Sequence, residues 1–131
     1  MIVWKKAVIK TQKSHPPHAT YSQAVKAGNL VFAGVGPFDL EGKTVPGDLK
    51  THTKACMENL KALLIEAGTT LENLVAVTVY LKNYEKYYYE FDEAYREYIK
   101  EDPPARVVVQ PAELPWGALV LLSVTAIIPE K

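Results

Sequence analysis

The chain has 131 residues, 48% of them hydrophobic, with 15 basic and 15 acidic side chains and one cysteine, Cys56. That length suits one domain with a real core, and a formal charge of zero leaves no basic surplus to neutralise phosphates, which argues against nucleic acid as a partner. A lone cysteine excludes an intramolecular disulfide and fits a reducing cytoplasm, and no segment has the length or apolar purity of a membrane span.

Met1-Ile2-Val3-Trp4-Lys5-Lys6 lacks the apolar core and small-residue cleavage site of a signal peptide. No linker, low-complexity tract or repeat interrupts the chain, so residues 1–131 read as a single domain. The first predicted strand is Val3 to Ile9. A polar loop with His15-Pro16-Pro17-His18 comes next. Two histidines at that spacing suggest a metal, but no third ligand is apparent, and a solvated proline loop is the plainer reading. Strands Tyr21 to Val25 and Leu30 to Ala33 are joined through Ala27-Gly28-Asn29, residues that tolerate the left-handed angles of a tight hairpin. Gly34 to Gly47, rich in glycine and proline, reads as loop.

A helix is predicted from Asp48 to Ala67. Leu49, Cys56, Leu60, Leu63, Leu64 and Ala67 form its apolar face, Asp48 caps its start and Gly68 closes its end. Cys56 on that face reads as inert packing. His52, near the helix start, has no evident base or nucleophile beside it. Leu74 to Leu81 reads as a strand with Val75, Val77, Val79 and Leu81 on one side. Asn83 is placed to cap a second helix striped by Tyr84, Tyr87, Tyr88, Phe91, Tyr95 and Tyr98, an aromatic stripe of the kind that packs a helix on a sheet.

Pro103-Pro104 ends that helix, because neither residue donates a backbone N–H. Val107-Val108-Val109 then reads as a buried strand with Arg106 at its mouth. A buried guanidinium needs an anion, and its planar fork suits a carboxylate held by two hydrogen bonds. A ligand carboxylate and an internal ion pair both satisfy that need. Trp116-Gly117 occupies the loop before the last strand, where the indole either closes over a small ligand or packs against a neighbouring subunit. The last strand, Leu119 to Ile128, has apolar residues at every even position, with Ser123 and Thr125 among the odd ones.

The order is strand, strand, strand, helix, strand, helix, strand, strand. Helices between the later strands imply crossovers and some parallel pairing. Two helices cover one face of such a sheet, yet the later strands are apolar on both faces. An uncovered apolar face predicts a homo-oligomer whose sheets face each other, with any pocket near a subunit boundary.

The pattern resembles the RidA/YjgF family, the reactive-intermediate deaminases. Tyr21-Ser22-Gln23-Ala24-Val25 with Gly28-Asn29-Leu30-Val31-Phe32 is similar to its early hairpin. His52-Thr53 through Glu58-Asn59-Leu60 and Glu66-Ala67-Gly68 are similar to its first helix, and Val77-Thr78-Val79-Tyr80-Leu81 to the strand after it. Pro104-Ala105-Arg106 is its most diagnostic tripeptide, followed by Leu114-Pro115. The resemblance implies an α+β, chorismate-mutase-like fold: a mixed sheet of about six strands with two helices packed on one face. It implies a homotrimer with three clefts between subunits. It also implies hydrolysis, without a cofactor, of small 2-imino or enamine acids to 2-oxo acids and ammonia.

In that scheme Arg106 grips the substrate carboxylate, and Tyr21, Ala33 and Trp116 complete the candidate binding set. Arg106 and Ser123 are the candidate catalytic positions. Ser123 stands where active family members carry a glutamate, and a serine cannot act as a carboxylate base near neutral pH. Other departures are Ala33-Gly34-Val35-Gly36-Pro37 for Ser-Gly-Gln-Ile-Pro, Ala19-Thr20 for Gly-Pro, and Val108 for a cysteine. These departures keep open a non-catalytic trimer that binds a small carboxylate. Ribonuclease activity, also linked to the family, finds no support in the neutral charge.

Overall fold

Alternating and helical hydrophobic patterns resolve into six strands and two helices, described over residues 5–130 in a computed structural model. The strands are β1 (Lys6–Ile9), β2 (Ala24–Ala27), β3 (Leu30–Val35), β4 (Leu74–Leu81), β5 (Ala105–Val109) and β6 (Val120–Ile127). Helix α1 (Leu49–Ala67) separates β3 from β4, and α2 (Tyr84–Tyr95) separates β4 from β5. One sheet runs β1-β2-β3-β6-β4-β5, antiparallel throughout except for the parallel pair β4 and β5. Among the described residues no helix is long and apolar enough to cross a membrane.

Local chemistry sets most boundaries. Asp48 accepts the Thr51 backbone N–H at 3.0 Å and the Thr51 hydroxyl at 2.8 Å, so α1 begins where the sequence predicts. Gly68, at φ 95°, ends it, and the following Thr69 N–H returns to the Leu64 carbonyl at 2.8 Å. Gly28, at φ 61°, makes the two-residue turn between β2 and β3.

Other boundaries differ from the sequence reading. Val3 and Trp4 of the first predicted strand lie outside the described residues. β2 starts at Ala24 rather than Tyr21, because Gln23 ties down the preceding loop instead. Its amide donates to the Thr11 and His15 carbonyls at 3.0 and 2.8 Å and accepts the Thr11 N–H at 2.8 Å. The Gly34–Gly47 loop gives up its first two residues to β3, where Gly34 pairs with Ser123. Asn83 does not cap α2 with its side chain; it sits at φ 52°, and the Tyr84 N–H goes to Gln110 Oε1 at 2.8 Å. A bulge between Leu74 and Ala76 shifts the phase of β4. Leu74 thereby joins the core, and Val75 turns out to solvent.

Both helices lie on one face. Val31, Ala33 and Val35 of β3, Val77, Val79 and Leu81 of β4, and Val120, Leu122, Val124 and Ala126 of β6 meet Leu49, Met57, Leu60, Leu63 and Leu64 of α1 and Phe91 of α2. Each fully buried side chain of this size contributes roughly 1.5–3 kcal/mol of burial free energy. The other face is open. Val8, Phe32, Val107 and Val109 project from it, with Val107 58% exposed, and Leu30, Tyr80 and Leu121 are half-buried between them.

Candidate active site

The β4–β5 register sets Arg106 opposite Val77, and Val77 is a core residue, so Arg106 points to the helix face. Only 16% of its side chain is exposed. Its Nη1 donates to Asp92 Oδ1 at 2.8 Å and its Nη2 to the Tyr88 hydroxyl at 3.1 Å. The guanidinium also lies over the ring of Tyr95, 4.9 Å from the centroid. The internal ion pair is therefore formed.

Asp92 serves two arginines. Its Oδ2 accepts from Arg96 Nη2 at 2.5 Å, one helical turn along. The Arg96 bond, and with it the Arg106 bond, holds the Asp92 carboxyl below the usual carboxylate range against the opposing effect of burial. Burial opposes the charge on Arg106, but its bonds to Asp92 and Tyr88 outweigh that and raise its pKa. Two guanidinium groups around one carboxylate leave a net positive centre. Beside it is a cavity of about 290 Å³ lined by Asp92, Tyr95, Arg96, Ile99, Pro103, Pro104 and Arg106. The Tyr95 hydroxyl is buried and has no hydrogen-bond partner among the described residues.

Tyr21 and Trp116 belong to a second centre, joined through His18. The Tyr21 hydroxyl accepts the His18 backbone N–H at 2.9 Å and lies 3.0 Å from His18 Nδ1. His18 Nε2 donates to the Gly42 carbonyl at 2.5 Å, which leaves Nδ1 to accept from Tyr21. The Trp116 indole stacks on His18 with centroids 4.2 Å apart, and the Phe38 ring stands edge-on to His18 at 4.6 Å. Trp116 holds φ 53° and ψ 30°, the left-handed region, at a cost of roughly 1–2 kcal/mol for such a side chain. The stack and the Thr44 hydroxyl on its carbonyl at 2.5 Å offset that strain.

Ser123 is on neither centre. It pairs with Gly34 of β3 and Thr78 of β4, and its side chain is exposed on the open face, opposite to Arg106. Ala33 is buried on the helix face between Ala24 and Val124. From β2, next to Tyr21, to β5 there are four strand steps, roughly 19 Å. One chain thus does not bring Arg106, Tyr21, Trp116 and Ser123 around a common point.

The remaining candidates are structural. His15 is buried, not solvated as expected; its Nε2 accepts the Gly36 N–H at 3.1 Å and its Nδ1 donates to the Pro16 carbonyl at 3.2 Å. Burial lowers its pKa, opposed by the bond to the Pro16 carbonyl and helped by the nearby His18. His52 has the partners that its sequence context did not reveal, the Val45 carbonyl at 2.9 Å and the Leu119 N–H at 3.2 Å. Cys56 is fully buried, and desolvation pushes its thiol far up. Asn59 ties the His15 N–H to the Gly36 and Phe38 carbonyls. Asp92 escaped the sequence reading altogether; its only local signal was the spacing of four residues to Arg96.

The family model described as Endoribonuclease L-PSP matches residues 11–128. The chain belongs to the RidA/YjgF family. A RutC family protein of Pyrococcus abyssi is 46% identical over 123 residues, 92% of this chain and 96% of that one. RidA from an Antarctic Psychrobacter has a crystal structure that is similar with TM-score 0.88 and 34% identity, covering 93% of this chain and 99% of that one. The E. coli TdcF structure, with bound serine, is similar with TM-score 0.86 and 26% identity over 92% of this chain and 98% of that one. The RidA-type fold that the resemblance implied is present: two helices on one face of a six-stranded mixed sheet.

Proposed function

We propose that this RidA-family chain is a cofactor-independent hydrolase of small 2-imino and enamine acids, such as 2-iminobutanoate and 2-iminopropanoate, acting as a homotrimer with a site in each cleft between subunits. The observation that carries this reading is Arg106: a largely buried guanidinium on an edge strand, beside a cavity of about 290 Å³, in a centre with one more positive than negative charge. A small carboxylate supplies the missing charge and fits the volume. The open apolar face, and the separation of Tyr21 and Trp116 from Arg106 in one chain, support completion of the site by a neighbouring copy.

The chemistry asks little of the protein. A protonated imine is already electrophilic at carbon. Water oxygen adds to that carbon and loses a proton, giving a carbinolamine. Nitrogen takes up a proton, the C–N bond breaks and ammonia leaves, and the hydroxyl gives its proton to water as the C=O bond forms. Arg106 holds the carboxylate so that the imine carbon presents one face to water. Ser123 is the candidate for a hydrogen bond to that water, contributed across the subunit boundary.

One observation favours a second reading. Ser123 brings no carboxylate to the open face, so a trimer that binds 2-oxo acids without turnover is also consistent with the anchor. Ammonia release decides between them. Generating 2-iminobutanoate in situ with an amino-acid oxidase, this chain speeds ammonia release over the spontaneous rate if it is the hydrolase. Spontaneous rates together with measurable pyruvate binding select the binding protein.

A further inference from the structure

Asp92 is the feature that the proposed function does not use. Its carboxylate occupies Nη1 of Arg106, and Tyr88 occupies Nη2. A ligand carboxylate that grips Nη1 and Nη2 together therefore meets Asp92 at the first nitrogen. Asp92 is also bonded elsewhere through its second oxygen, to Arg96. The two arginines differ in exposure: the Arg96 side chain is 70% exposed and that of Arg106 only 16%. Leaving Arg106 does not strand Asp92 as an unpaired buried charge, because Arg96 keeps hold of it.

We propose that Asp92 is a built-in competitor for Arg106: a ligand carboxylate and the Asp92 carboxylate exchange on the guanidinium, and Arg96 retains the displaced Asp92. The filled state holds two guanidinium groups and two carboxylates, where the free state holds two and one. Tyr95 lines the same cavity, and its ring lies against the Arg106 guanidinium. The competitor sets a threshold. Ligands that fill the fork with a full negative charge displace Asp92, whereas neutral or singly hydrogen-bonding compounds do not. Asp92 thus acts through Arg106 as a specificity-determining residue and need not touch the substrate. This proposal rests on Arg106 being the carboxylate anchor.

The test is calorimetric titration of the full chain with pyruvate and 2-oxobutanoate. Asp92→Asn keeps the shape and an acceptor oxygen but removes the competing charge. It is expected to tighten binding on the order of tenfold, an easily resolved decade. Arg96→Gln leaves Asp92 with Arg106 alone and weakens binding several-fold. In the Asp92→Asn background Arg96→Gln has no further effect, because Arg96 acts only through Asp92. In a turnover assay the gain of Asp92→Asn falls on KM and leaves kcat unchanged.

Weaker or unchanged binding in a folded Asp92→Asn protein overturns the proposal, since Asp92 then orients Arg106 or is irrelevant to it. An Arg96→Gln loss that persists in the double variant overturns it too, by placing Arg96 on the ligand. Folding is checked by near-ultraviolet circular dichroism and native mass. Arg106→Ala separates the two failures. If Arg106→Ala binds pyruvate as well as the parent, the anchor reading itself falls. If Arg106→Ala loses binding and Asp92→Asn does not tighten it, only the competitor falls.

Discussion

Replacing Arg106 tests the anchor most directly, and the structure sets separate sizes for its effects on stability and on binding. Arg106→Ala removes the charge-assisted bonds to Asp92 and to the Tyr88 hydroxyl and the cationic contact with the Tyr95 ring. Asp92 keeps Arg96, so no buried charge is orphaned. Together the two lost bonds and the ring contact amount to about 3–5 kcal/mol, on the order of 10–15 °C in Tm for a chain of this length. Binding suffers more. Truncating one partner of a desolvated, hydrogen-bonded charge pair costs roughly 2–5 kcal/mol, or about 30-fold or more in Kd for pyruvate. Arg106→Lys restores much of the Tm by pairing with Asp92, but a point charge without the planar fork recovers little of the binding. Differential scanning calorimetry and isothermal titration, run on samples whose native mass is checked by light scattering, read the two effects independently. The reasoning fails if both variants retain parental affinity. It also fails if Arg106→Ala dissociates the assembly while the parent shows no ligand binding, because Arg106 is then only a structural ion pair.

Ser123→Glu places a carboxylate on the exposed position of β6; turnover of 2-iminobutanoate rises while pyruvate affinity changes less than about threefold, and a folded variant with parental turnover rules this position out as the missing element. Val107→Asp puts a charge on the most exposed apolar strand residue of the open face, so native mass shifts from about three chain masses toward one if that face joins subunits, and an unchanged trimer refutes that assignment. Acid should destabilise the fold through His15, whose depressed pKa keeps it neutral when folded while the unfolded chain takes up a proton near pH 6.5. Its contribution is full above that pH and declines as pH falls through the lower folded value. The slope is bounded by about 1.4 kcal/mol per pH unit for one proton, and urea titrations at pH 7, 6 and 5 should show a decline in the parent that is lost in His15→Gln.

What the sequence determined by itself was whatever depended on neighbours a few residues away. Both ends of α1 follow from Asp48 and Gly68, whose hydrogen bonds close within one turn. The Gly28-Asn29 turn follows from backbone freedom, and the buried and outward positions of β6 follow from simple alternation. The family motifs were legible for the same reason that Gln23 and Asn59 matter: each side chain bonds several backbone groups of the loops around it.

Only the tertiary structure decided which distant groups meet. The Leu74–Ala76 bulge depends on pairing with β6, at the far end of the chain, and it reverses the exposure that alternation assigns to Val75. The need of Arg106 for an anion was readable, but its choice of Asp92 required α2 to lie over β5. The burial of His15 and the stacking of Trp116 on His18 arise between loops with no periodicity to read. The candidate site divides along the same line. Residue chemistry is local and visible in the chain, whereas the face of the sheet and the distance across its strands are products of pairing, and these keep Ser123, Tyr21 and Trp116 away from Arg106 within one subunit.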